Sequence, residues 1–170
     1  MLKSSMAFKR LARVPLILLL ALGGLAKAHA DCWASAGERH RIDPLLLLAI
    51  AKVESSMNPK AINWNKNGTC DLGLMQINSA NFPVLAAQGF DREKLIDACA
   101  SIEAGAIMLS GFIKKHGYTW TAVGAYNAGS SPSRAAARKA YATKVWNVYR
   151  EVHMNPEKHR QLLEKWRSMR

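Results

Sequence analysis

Glu54 stands at the end of an oily stretch, "LLLLAIAKVES", that begins with seven consecutive apolar residues, Leu45 to Ala51. On helical spacing it lies one turn beyond Ile50 and Ala51 and two beyond Leu47, so its carboxyl group shares a face with hydrocarbon. Loss of water disfavours the anion, and so does the partial negative charge of a helix C-terminus. Both raise the pKa, and a carboxylic acid that keeps its proton near neutrality can act as a general acid. The competing reading is a hydrated glutamate turned outward at a fraying helix end.

A proton donor alone does little to a stable bond unless other groups fix the substrate and stabilise developing charge. Asp71 follows seventeen residues later, and "GLMQIN" then sets Met75, Gln76 and Asn78 in one polar and polarizable strip. One carboxyl on an apolar helix end and another on a polar β element is the arrangement by which glycoside hydrolases divide acid and nucleophile roles. Asp71 also fits a turn residue bonded to its own backbone. Tyr126-Asn127, between Gly124 and Gly129, adds an aromatic face and an amide at a tight turn, as a sugar groove requires. No CxxC or HExxH occurs, so a metal site is not expected, and acid–base cleavage of a glycan needs no organic cofactor.

These residues need elements to carry them. Asp43 fits an N-cap and Pro44 a first helical residue, so the spacing predicts a buried helix from Pro44 to about Ser55, stopped before Asn58-Pro59. Residues 61–78, with an Asn67-Gly68 turn signal, predict a small hairpin or irregular β element. Ile102, Ala106, Leu109 and Ile113 mark a helix face ending near Gly117. "TWTAVGAYNAG" reads as a short helix running into a turn. After the break at "GSSPS", residues 134–154 form a helix with Tyr141, Val145, Val148 and Val152 on one side. Residues 155–170 are a basic amphipathic tail carrying Leu162, Leu163 and Trp166, read as a terminal helix or as a membrane or partner contact.

The first thirty residues hold five basic residues and no acid, an apolar run from Val14 to Ala26, and "AHA" before Asp31. They read as a cleaved secretory signal, residues 1–30, leading to a periplasmic protein. The mature chain then comprises one domain, residues 31–154, and the tail. Without the leader, 19 basic residues face 12 acidic ones, net +7. That charge suits an anionic envelope polymer or membrane surface, and no nucleic-acid reading module is present. An oxidising compartment lets the three cysteines, Cys32, Cys70 and Cys99, form one disulfide. Of the three pairings, Cys32 with Cys99 is favoured because it would tie the first helix to a central one.

Four stretches in order, "AIAKVESSMNP", "GLMQIN", "GAYNAG" and "YATKV", resemble the catalytic domain of lytic transglycosylases, with its goose-type lysozyme-like fold. "NGTCDLGLMQIN" and the short exported chain resemble the specialised members associated with secretion, conjugation or pilus machines. The resemblance implies an α+β, predominantly helical domain with a small hairpin and a cleft. It implies Glu54 as the indispensable acid and base, a substrate groove of Met75, Gln76, Asn78, Tyr126, Asn127 and Tyr141, and a Tyr141 hydroxyl that orients Glu54.

The implied reaction cleaves the β-1,4 bond between N-acetylmuramic acid and N-acetylglucosamine in peptidoglycan and closes a 1,6-anhydro ring. Asp71 departs from the wider family, many of whose members rely on the substrate's N-acetyl group, and it brings the chain nearer to hydrolytic lysozymes. The rival from another class is an adaptor that binds glycan without cutting it. Expected partners are peptidoglycan strands and a secretion or pilus component, with the protein itself a monomer. Trp64 and Trp120 are read as packing residues rather than sugar platforms.

Overall fold

The computed structural model describes residues 31–169, and the expected leader lies outside them. Helix α1 (Cys32–His40) leads into α2 (Pro44–Ser55) through a tight corner. Both starts are capped by aspartate: Asp31 accepts from the Trp33 amide at 3.0 Å and Asp43 from the Leu45 amide at 2.8 Å. Both ends turn through left-handed residues, Arg41 (φ 56°) and Ser56 (φ 54°), whose amides reach back to the last helical carbonyls. Leu46 to Ala51 are buried all round, so α2 is the axis of the core and its tip, with Glu54, is fixed by packing.

The sequence then changes period. Strands β1 (Ile62–Trp64), β2 (Cys70–Leu72) and β3 (Ile77–Asn78) form an antiparallel sheet in the order β1-β2-β3, one strand more than a hairpin. Asn63 pairs with Asp71 and Asp71 with Asn78, which sets these three side chains in one row across the sheet. The expected turn falls between β1 and β2, where Gly68 takes φ +83°.

Four more long elements complete the domain after the short helix α3 (Phe82–Ala86): α4 (Ala98–His116), α5 (Trp120–Ala128), α6 (Ala135–Met154) and α7 (Pro156–Ser168). The fold is thus a predominantly helical α+β domain with a small antiparallel sheet. Helix α4 ends at His116 with Gly117 at φ +72°. Cys32 and Cys99 are joined, tying α1 to α4 across 67 residues, a closure that contributes roughly 4 kcal/mol on a chain-entropy model. Cys70 is a buried thiol.

Helices α5 and α6 cross with almost no side chain between them at Gly124, where a Cβ would lie 2.4 Å from the Arg138 carbonyl oxygen. Only glycine permits that approach. On α6, Tyr141 and Val145 are buried in the core that α2 centres. At the far end, Trp166 of α7 packs edge to face on Trp33, ring centroids 5.7 Å apart and both indoles buried. No helix among the described residues is long and apolar enough to cross a membrane.

The two tryptophans read as packing residues differ. Trp64 is 72% exposed on β1, a strand whose three residues all face solvent, whereas Trp120, 39% exposed, packs edge to face on Trp146 and Tyr149. The sheet has no layer behind β1 to cover the indole.

Candidate active site

Glu54 occupies the last turn of α2 and meets Tyr141, whose hydroxyl donates to its Oε1 at 2.5 Å. Burial pushes the Glu54 pKa up to about 7. The Tyr141 hydrogen bond opposes this, the negative charge of Asp71 adds to it, and Lys144 opposes it more weakly. Desolvation wins because α2 carries hydrocarbon to its tip. At neutral pH the carboxyl therefore holds and releases its proton with nearly equal ease, as a group that must first donate and then accept requires.

Two phenols frame that carboxyl. Burial raises the Tyr141 pKa well above its ordinary value, and the Glu54 charge beside it raises it further. Tyr126 is raised well above its ordinary value for the same reasons in the same order. Both are donors throughout the physiological range. Tyr126 spends its hydroxyl on the Met75 carbonyl at 2.8 Å, which pins α5 to the turn before β3.

Asp71 sits in a contrasting setting on the middle strand. Its Oδ1 accepts from the Asn78 amide at 2.7 Å and its Oδ2 from the Asn65 amide at 2.9 Å. Each of those amides also lies 3.1 Å from the Thr69 hydroxyl. Neutral donors on both oxygens fix the direction of the carboxylate, and among the described residues it has no cationic partner.

A cleft of about 620 Å³ separates the two acids and is lined by both, a volume in the range of small-ligand sites. One wall is the sheet and its turn, with Asn65, Lys66 and Asn78. The other comprises Met108 and Phe112 of α4 with Tyr126 and Asn127 of α5, and Arg134 also lines the cleft. Among the described residues, no cluster of three His, Cys, Asp or Glu could hold a metal ion.

The other sequence candidates divide by what their polar atoms already do. Asn127 lines the cleft and its amide makes no hydrogen bond among the described residues, so it is open to a substrate. Gln76 lines the cleft but is committed. Its Oε1 accepts from Asn63 at 2.6 Å, and its Nε2 donates to the Ala61 and Gly73 carbonyls at 3.2 and 2.8 Å. It clamps the sheet to the turn in a left-handed conformation, φ 49°.

Asn78 likewise uses its oxygen to cap the Ala80 amide, at 3.0 Å, and its nitrogen on Asp71. The Met75 side chain is fully buried against Gly105 and does not line the cleft. Tyr141 touches Glu54 and is not among the cleft walls. Asn65, Met108, Phe112 and Arg134 are additions that sequence reasoning passed over. Met108 and Phe112, spaced i and i+4 on α4, carry the one periodic signal that could have shown a second apolar face.

Comparison with known proteins shows the family. Residues 31–149 match the family described as "Transglycosylase SLT domain". The chain is 47% identical over 137 residues to "Invasion protein IagB" of Salmonella typhimurium, covering 80% of this chain and 86% of that one. It is 41% identical over 143 residues to "Protein IpgF" of Shigella flexneri, covering 84% and 93%. An Escherichia coli "X polypeptide" is 41% identical over 136 residues, covering 78% and 80%. The family match takes in Glu54 and Asp71, which line one cleft, and Tyr141, which holds Glu54, and the chain belongs to the transglycosylase SLT family.

Proposed function

We propose that the protein is a peptidoglycan lytic transglycosylase that cleaves the β-1,4 bond between N-acetylmuramic acid and N-acetylglucosamine. The observation that carries the proposal is the Glu54 carboxyl, dried by α2, held by Tyr141 and facing a polar cleft. Glu54 gives its proton to the bridging oxygen as the bond from that oxygen to muramyl C1 breaks. The resulting carboxylate takes the proton of the muramyl 6-hydroxyl while O6 attacks C1, closing a 1,6-anhydro ring with no water consumed. A pKa near 7 suits both halves of that cycle. Asp71, aimed by two amides, stabilises the cationic centre between them.

That aim also favours a second reading, in which Asp71 supports attack by water and the product carries a reducing end, as in lysozymes. Mass spectrometry of digested sacculi separates them. Anhydro sugars are expected, and a digest containing only reducing ends would replace the transglycosylase with a hydrolase. An adaptor that never cuts predicts sacculi untouched by the wild type and secretion unaffected by Glu54→Gln.

The resemblance of "NGTCDLGLMQIN" and the short exported chain to specialised members supports placing the activity at a secretion or pilus apparatus, where the wall is opened locally. The net +7 after the leader suits the anionic polymer, and the leader would deliver the enzyme to the periplasm.

A further inference from the structure

A second groove, of about 480 Å³, runs between α5 and α6 and holds neither Glu54 nor Asp71. Its walls include Trp120, Arg138, Lys139, Ala142, Thr143 and Trp146. The two indoles meet edge to face, centroids 5.1 Å apart, yet 39% of Trp120 and 40% of Trp146 stays open to solvent. Large flat aromatic surface held in a concave wall is a recognition surface.

The two charged residues that line it, Arg138 and Lys139, are both basic. Between Glu103 and Glu151 the sequence holds seven Lys and Arg residues and no Asp or Glu. Arg138 donates to the Gly129 and Ser131 carbonyls at 3.1 and 2.6 Å, which are neutral acceptors, and neither it nor Lys139 has an ion-pair partner among the described residues. The ligand that fits has apolar ring faces and carboxylates together.

The groove also adjoins the cleft. Gly129 and Arg134 line the cleft, whereas Ala135 and Arg138 line the groove, and Arg138 holds the Gly129 carbonyl across the shared rim. We propose that this groove is an accessory, non-catalytic site for peptidoglycan, seating sugar rings on Trp120 and Trp146 and the carboxylates of the peptide stems on Arg138 and Lys139. A membrane surface fits less well, because aromatic residues that insert into lipid project as a belt and do not wall a groove.

The inference rests on the peptidoglycan reading, so its test uses binding that needs no turnover. Glu54→Gln protein is sedimented with purified sacculi, with and without Trp146→Ala or Lys139→Glu. The aromatic change is expected to weaken binding about tenfold, and the exposed charge reversal to weaken it measurably without altering the melting temperature. In the active background, Trp146→Ala should slow sacculus clearing but leave cleavage of a short soluble muropeptide oligomer within twofold.

Sacculus binding unchanged in both variants overturns the proposal. So does an equal loss on the short oligomer, or a loss confined to anionic lipid vesicles. A wild-type protein that cuts nothing while Glu54→Gln still binds sacculi through Trp146 would sink the catalytic reading and leave the groove standing.

Discussion

The two acids of the cleft are the same chemical group in opposite surroundings. Glu54 is delivered by a helix that is buried all round from Leu46 to Ala51, and among the described residues its carboxyl has one hydrogen bond, from a phenol that burial keeps protonated. Asp71 is delivered by a three-residue strand and has an amide on each oxygen. Dry packing sets the protonation of the first, and a polar network sets the direction of the second. An acid catalyst needs its proton more than its hydrogen bonds, and an electrostatic stabiliser needs the reverse.

The widest test of that contrast is removal of the proton itself. Glu54→Gln keeps the shape and an acceptor for Tyr141 but cannot donate to a leaving oxygen. Sacculus clearing should fall about a thousandfold or more, with the circular dichroism spectrum unchanged. In the wild type, activity should fall as pH rises through about 7, because the deprotonated acid cannot start the cycle.

The same substitution exposes what dryness costs the fold. Glu54 has a folded pKa of about 7 against an ordinary 4.5, so the folded state binds more protons than the unfolded one between those values. Stability from this group is full below pH 4.5, declines as pH rises, and is lost above about 7. Glutamine does not titrate, so Glu54→Gln should be more stable than wild type by roughly 3 kcal/mol at about pH 8 and nearly equal to it at about pH 4. Thermal melts at the two pH values check this, and equal differences at both would mean that the carboxyl is hydrated.

The dry side of the comparison was legible in the sequence and the wet side only in part. Asp43, Pro44 and the apolar run state where α2 begins and why its tip is buried, and the pairing of Cys32 with Cys99 agrees with the structure. The row of Asn63, Asp71 and Asn78 depends on strand register: β2 does alternate, with Cys70 and Leu72 buried on either side of Asp71, but strands of two and three residues are too short for that pattern to say which residue faces which. Asn65 aims Asp71 from a turn, where asparagine is ordinary and nothing marks this one. Gln76 adopts a conformation that sequence reading reserves for glycine, and it does so because three hydrogen bonds hold its amide inward. Trp64 reads as a packing residue because indoles usually are, and only the layer count shows that nothing covers it.

A smaller and more directed effect comes from the phenol. Tyr141→Phe removes the hydrogen bond that orients Glu54 and that lowers its pKa more than Lys144 does. The rate should drop by up to about 100-fold through lost positioning. What remains should lose activity at a higher pH than the wild type, because desolvation then acts with less opposition. A pH profile of kcat/KM that drops in height without moving would reduce Tyr141 to packing.

Asp71→Asn should move the same limb the other way. The Asp71 charge raises the Glu54 pKa, so neutralising it should bring the fall in activity to lower pH. In a reaction closed by the muramyl 6-hydroxyl, the rate loss should be about tenfold, the weakened stabilisation of a cation that the substrate's own N-acetyl group can share. The substitution also sets an amide nitrogen against the amide of Asn65 or Asn78, donor facing donor, and should cost about 1–3 kcal/mol of stability. A melt therefore accompanies the pH profile, so that disordering of the network is not read as lost chemistry. If Asp71→Asn instead abolishes turnover as fully as Glu54→Gln, and the wild-type digest carries reducing ends, then direction at Asp71 is as indispensable as the proton at Glu54, and the reaction is hydrolysis.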